Sequence, residues 1–371
     1  MAKKTSKLRT TLRIVAAVAT ILIVAYVLVP QLAGVRLGLL TRINTGYLVL
    51  GLGLEAAFLA AYACLTRSVL PRPGAPRLPT VARINLSTLA VSHLIPGGTA
   101  AGTALGYRLL KSSGICGSDA CFALGVQGLG SAVVLNAILW LTLMVSIPLR
   151  GFDVRYITAA VITTLLIGFC GALVLLLTRG RERVASATRG LARRLPFVNE
   201  DSVLRGVRGL ADRLAAMRED RPLVVRAFGW AAAAWLLDAA SLGVFVAAFG
   251  HRISPEGLLI AFCLANVLAA IPITPKGLGV VEAVLIPTLI AFGTPRPAAV
   301  LGVISYRLIS FWAPIPIGGA AYLSLRRKLA ARSEMTSRPA AKVNLGREPA
   351  RRPLLRATAL LPAGIEPAQT V

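Results

Sequence analysis

The residues best placed to do chemistry lie in Ile271 to Ala283, IPITPKGLGVVEA, where two prolines, two glycines, a lysine and a glutamate interrupt a strongly apolar region. Thr274 and Pro275 have the form of a helix N-cap and first helical position, which predicts a half-helix starting there and running through Val280. Its free amides and positive dipole end would face whatever occupies the tip. Lys276 adds a full positive charge, Gly277 and Gly279 allow close backbone approach, and Glu282 follows two turns in. Such a tip suits an anion. A lysine or glutamate at bilayer depth costs about 3 kcal/mol on insertion scales, so both should be paired or line a cavity, unless Lys276 snorkels to an interface.

Further ionisable residues sit in apolar surroundings: Glu55, Asp238, Arg108 and Arg307, with His93 three residues before Pro96. Arg108 and Arg307 each occur in a Tyr-Arg-Leu triplet. Asp238 with Arg307, or Glu282 with Lys276, are the ion pairs the sequence offers. Gln127 and Asn136, polar residues within an apolar run, either hold helices together or line a path. Catalysis has little to draw on. The chain has His93 and His251 as its only histidines and carries neither closely spaced paired carboxylates, a metal motif nor a nucleotide-binding loop. The expectation is a protein that is not an enzyme and uses no cofactor.

What must position these groups is a membrane scaffold. Of 371 residues, 56% are hydrophobic and only 15% charged, against about 25% charged in a soluble domain. The mean hydropathy is +0.72. Apolar runs of bilayer-spanning length predict full crossings at 14-33, 47-66, 119-148, 156-178, 227-250 and 298-323. Two regions break this pattern. In 84-112, arms of about a dozen residues flank Pro96-Gly97-Gly98, each roughly 18 Å long and too short to cross. In 256-293, arms of about 18 residues flank Pro272 and Pro275, giving either a deep hairpin or two tilted crossings.

Lysine and arginine counts orient the chain. Segments 1-13, 67-83, 179-222 and 326-371 hold 5, 4, 11 and 10 of them, against 2, 2, 1 and 1 in 34-45, 149-155, 251-255 and 294-297. The rich segments belong in the cytoplasm. On this count 84-118 enters and leaves from the inner side, and 256-293 from the outer side. The expected fold is all-α: about six crossings plus two Pro/Gly-broken re-entrant hairpins in inverted halves, an arrangement that points to a transport site near the midplane.

The domains read as a basic cytoplasmic N-terminus (1-13), a first membrane half (14-178), a basic linker (179-222), a second half (223-325) and a basic, disordered cytoplasmic tail (326-371). Within the linker, 199-220 has the pattern of an amphipathic helix on the membrane surface. Both termini fall in the cytoplasm, in a multi-pass protein of the inner or plasma membrane. The net charge of +26 is read as orientation signals and contacts to anionic membrane lipids, because no aromatic-interleaved basic patch supports nucleic acid. The five scattered cysteines read as small hydrophobes.

At SHLIPGG, PITPKGLGVVEA and YRLISFWAPIPIGG, within residues 10 to 328, the chain resembles the lysylphosphatidylglycerol synthase transmembrane, flippase-like family. The shared pattern is Pro275, Gly277, Gly279 and Glu282, followed by Tyr306 and Arg307. In the first half the family often shows a proline followed by an arginine and a Gly-Glu pair. Here Pro96, Gly97 and Gly98 lead into Thr-Ala-Ala-Gly, with neither charge.

The resemblance implies movement of a charged phospholipid, or a similar amphiphile, between leaflets. The substrate-binding candidates are Pro96, Gly97, Gly98, Arg108, Pro275, Lys276, Gly277, Gly279, Glu282, Tyr306 and Arg307. Members that make aminoacylated lipid carry a separate soluble synthase domain, for which the tail has no room. The competing readings are an accessory subunit of a lipid or cell-wall enzyme, an intramembrane lipid-modifying enzyme and an ion-coupled solute transporter. The lipid, the direction of transport, its energy source and the oligomeric state stay open.

Overall fold

The computed structural model describes residues 44–71, 74–94, 98–150, 164, 168, 220–270 and 274–337. The expected crossings at 14-33 and 156-178, the 199-220 helix, Pro96, Gly97 and the tail beyond 337 lie outside the described residues. Among the described residues every regular element is helical.

Four helices are long and apolar enough to cross a membrane: Thr45–Ser68 (α1), Gly117–Ser146, Arg221–Ala247 (α6) and Arg296–Lys328. They match the expected crossings at 47-66, 119-148, 227-250 and 298-323. Their starts follow local rules. Asn44 accepts the Gly46 amide at 3.0 Å, and Asp220 accepts that of Leu223 at 3.0 Å with Pro222 just inside the first turn. Two of the four contain a π-helical turn. Val126–Gly130 joins α4 (Gly117–Gly125) to α5 (Ser131–Arg150), and Leu308–Trp312 joins α9 (Arg296–Arg307) to α10 (Pro314–Ser337). Val49, Leu52, Leu141, Val145 and Val225 stand exposed on the long helices, as contact with lipid tails requires.

Each broken segment is a pair of shorter helices packed on each other. The first pair is α2 (Leu78–Leu94) and α3 (Gly98–Ser112), of 17 and 15 residues. These arms exceed the expected dozen because α2 begins at Leu78, yet at about 25 and 22 Å each falls short of a bilayer core. The second pair is α7 (Pro255–Ala269) and α8 (Val280–Ala291), of 15 and 12 residues. They are shorter than the expected 18, because an irregular stretch takes up the chain between them.

The first pair is held by small residues. Gly98, Gly102 and Gly106 recur every fourth position along α3 and face Ser92 and Thr88 of α2. A Cβ at Gly102 would lie 2.1 Å from Ser92 Oγ and 2.6 Å from the Thr88 carbonyl. Such close backbone approach needs glycine. In the second pair, Gly257 near the start of α7 faces Phe292 just after α8, and Gly277 faces Ala269 at the end of α7. Both pairs are therefore antiparallel, with the break at one end.

Two apolar clusters carry the core. One gathers Leu242, Phe245, Phe262, Leu285, Leu289 and Val303, from α6 to α9. The other gathers Leu65, Val81, Ile84, Leu110, Phe122 and Ala227 around the first broken pair. Polar side chains tie the helices between them. Gln127 Nε2 and Asn85 Nδ2 both donate to Thr66 Oγ1, at 2.8 and 2.9 Å, so Gln127 serves as glue. The Asn136 amide donates to Ala132 O within its own helix.

Candidate functional site

The second break departs from the expected half-helix. Pro275–Gly277 forms a single 3-10 turn, and α8 begins only at Val280. Lys276 (φ 45°), Gly277 (φ 70°) and Gly279 (φ 85°) all lie in the left-handed region, so a right-handed helix cannot propagate through them. Apart from glycines, Lys276 is alone in this among the described residues. A lysine held there costs about 1 to 2 kcal/mol. The turn sets its side chain apart from the α8 helix.

The amides expected to face an anion already have partners inside the turn. Gly277 N–H donates to Thr274 O at 3.4 Å and Leu278 N–H to Pro275 O at 2.9 Å. Gly279 N–H donates to Glu282 Oε2 at 2.7 Å, which caps α8. The three amides from Gly277 to Gly279 are therefore taken up within the turn and its cap.

This turn packs against α2, α3 and α7, so the second break reaches the helices of the first. Around it gathers a set of ionisable groups drawn from six elements. Arg307 Nε on α9 donates to Glu282 Oε1 on α8 at 2.6 Å, both side chains at most a tenth exposed. Tyr306 OH donates to Asp238 Oδ1 on α6 at 2.7 Å. Ser241 Oγ, one turn further along α6, donates to Glu55 Oε1 on α1 at 2.6 Å. Asp238 and Ser241 are one turn apart on α6, so the Glu55 carboxyl, held by Ser241, lies beside that of Asp238, and both are buried. Lys276 lies within electrostatic reach of Asp238 and Arg307. The ion pairs are thus not those the sequence offered: Glu282 pairs with Arg307, and Asp238 takes the Tyr306 hydroxyl and the field of Lys276.

His93, at the end of α2, brings the first broken segment to the same place. Its Nδ1 lies 2.8 Å from the Phe311 carbonyl, an oxygen that can only accept, so Nδ1 carries the hydrogen. The imidazole stacks on the Phe311 ring, 4.5 Å between centres and 2° from parallel. The Arg307 guanidinium sits 4.7 Å from the centre of that same ring.

Several donors remain unused. Arg307 Nη2, Thr274 Oγ1 and Ser310 Oγ are buried without a hydrogen-bond partner. The Lys276 ammonium makes no hydrogen bond or ion pair among the described residues, and its side chain is exposed although its neighbours Pro275, Gly277 and Leu278 are buried. Two cations within electrostatic reach of each other, each with an unpartnered nitrogen, can receive an anion without displacing an existing bond.

Of the candidates named from sequence, Pro275, Lys276, Gly277, Gly279, Glu282, Tyr306 and Arg307 come together here. Gly98 lies at the inner end of α3 against Ser92. Arg108 does not join them. It is exposed on α3, ten residues and about 15 Å of helix beyond Gly98. Glu55, Asp238 and His93 were visible only as ionisable residues in apolar runs, and Ser241 and Phe311 carried no signal at all.

Comparison with known proteins agrees with this membrane architecture. The family of lysylphosphatidylglycerol synthase TM regions matches residues 13–318. A UPF0104 membrane protein of Methanothermobacter thermautotrophicus is 25% identical over 242 residues, covering 63% of this chain and 71% of the relative. A second match, to a UPF0104 membrane protein of the same organism, is 31% identical over 84 residues, covering 23% of this chain and 25% of that relative.

Proposed function

From the premise that this chain belongs to the family of the lysylphosphatidylglycerol synthase TM region, we propose that it is a membrane translocator, not an enzyme, that carries the anionic headgroup of a phospholipid or similar amphiphile between leaflets. The observation that carries this reading is the unpartnered Lys276 on the turn, within electrostatic reach of Arg307, whose Nη2 is buried and unpartnered. A phosphate oxygen bridging the two would satisfy both, and the Thr274 and Ser310 hydroxyls supply further donors. Glu282 holds Arg307 in position through Nε and leaves the other side of the guanidinium free.

The two broken pairs act as re-entrant hairpins from opposite faces of the cell membrane, with both termini in the cytoplasm. Their arms, of 17, 15, 15 and 12 residues, are each too short to cross upright. The meeting of the second turn with α2 and α3 puts the anion site between the hairpins, so that rocking one half against the other opens it to either face while the acyl tails stay in lipid.

Reconstitution into phosphatidylcholine vesicles containing fluorescent phosphatidylglycerol tests this. The wild type is expected to equilibrate the label between leaflets, and Lys276→Asn to slow it at least tenfold. Asparagine tolerates the left-handed backbone, so that variant removes the charge and keeps the turn. An unchanged rate in Lys276→Asn would sink the headgroup site and leave the accessory-subunit reading in its place.

A further inference from the structure

The charges gathered around the turn leave one acid too many. Glu282 and Arg307 neutralise each other, which leaves Lys276 facing the Glu55–Asp238 pair. The groups that face this pair come from every element around it: Ser241 on α6 itself, Tyr306 and Arg307 on α9, and Lys276 on the turn before α8. Glu282 on α8 is engaged by Arg307, and His93 on α2 commits its Nδ1–H to the Phe311 carbonyl. Two neighbouring acids this deeply buried, with Lys276 as the cation left to them, cannot both ionise without an uncompensated charge, so one of them holds a proton. With that proton the cluster is neutral. Two acids, each less than a tenth exposed, then share a single cation.

An anion bound at Lys276 and Arg307 upsets this balance. It adds a negative charge next to Asp238 in a medium where uncompensated charge is expensive. Lys276, drawn to the anion, offers less to Asp238. A second proton on the Glu55–Asp238 pair restores neutrality without moving any helix.

We propose that the Glu55–Asp238 pair is a proton-binding site linked to the anion site, so that a phosphate-bearing headgroup is carried together with one proton. This rests on the translocator reading above and supplies its driving force. No covalent bond changes: the proton comes from water on the loading side and returns to water on the release side, and the pair regains its single shared proton. Because linkage is reciprocal, acid strengthens anion binding and the bound anion draws in a proton.

The test is calorimetric titration of the detergent-solubilised full chain with dihexanoyl-phosphatidylglycerol, and separately with inorganic phosphate, in buffers of different ionisation enthalpy. The dependence of the heat on the buffer gives the protons taken up. The expected result is uptake of about one proton per bound lipid, abolished in Glu55→Gln, which keeps an acceptor for Ser241 but cannot share a titrating proton. Asp238→Asn should do the same, and if both variants fail to fold the wild-type proton count decides alone. Lipid binding with no proton uptake overturns the linkage and leaves the headgroup site standing. No binding of either anion overturns both readings. Proton-linked binding of inorganic phosphate alone keeps the linkage and overturns the lipid as its source.

Discussion

The two breaks occupy corresponding places in the chain but are built from opposite materials. At the first, α2 and α3 close on each other through Gly98, Gly102 and Gly106 against Ser92 and Thr88, and the start of α3 is made of threonine, alanine and glycine. At the second, a strained turn projects Lys276 and presents Glu282 to Arg307. The first hairpin is a packing surface that contributes one ionisable group, His93. The second holds the charges. The two broken pairs are therefore not chemically equivalent, and the remaining charge comes from Glu55 and Asp238 on the long helices α1 and α6.

The difference can be broken most severely at Gly102. Leucine there has a Cβ 2.6 Å from a backbone carbonyl that cannot move away, so Gly102→Leu is expected to destabilise by about 3 kcal/mol or more, read as loss of the monodisperse peak on size exclusion. Gly53→Ala, with nothing within 4 Å of the added methyl, is the matched control and should be silent. If Gly102→Leu folds normally, the first hairpin is not a packing surface.

Arg307→Met comes next. It strands a carboxyl only 2% exposed and should cost about 3 to 5 kcal/mol, with the Arg307→Met, Glu282→Gln double variant recovering part of it. Thermal unfolding in detergent measures both. By contrast, Lys276→Asn should cost less than Arg307→Met while transport falls, because the Glu55–Asp238 pair can take up a second proton in place of the lost charge, whereas Glu282 has no such neighbour. His93→Ala should cost about 1 kcal/mol through loss of its bond to Phe311 O. Phe311→Leu removes the stacked ring but keeps the carbonyl, so a smaller loss for His93→Ala in that background measures the share that stacking contributes.

The mildest test asks whether the hairpins enter from opposite faces. Cys116, exposed in the loop after α3, and a cysteine at exposed Arg296, after α8, should label from opposite sides of the membrane in a background otherwise free of cysteine. Labelling from one side would remove the inverted arrangement. The Ser118 hydroxyl beside it holds the Cys116 thiol below its ordinary value. Ser118→Ala should therefore move the labelling curve to higher pH and slow the reaction modestly near neutrality.

Much of the scaffold was legible from one dimension. Hydropathy over about 20 residues marks a crossing wherever it falls, and proline and glycine interrupt a helix by their own backbone chemistry. For that reason 47-66 was found to within two residues at each end and 227-250 to within six, and both breaks fall where proline and glycine mark them. The arm lengths were less accurate, because the positive φ of Lys276, Gly277 and Gly279 delays the start of α8 to Val280 for reasons that Thr274-Pro275 does not reveal. The donors at the tip shifted for a related reason: once Glu282 caps Gly279, the amides that seemed free are used.

By itself, the sequence determined that this is a helical membrane protein with two interrupted segments and a few charges in apolar surroundings, since each of those properties belongs to a short stretch of chain. Only the tertiary structure decided how those charges combine. Ser241 meets Glu55 across 186 residues, Tyr306 meets Asp238 across 68, and His93 meets Phe311 across 218. A partner at such separation is chosen by how the helices pack, and no local spacing encodes it.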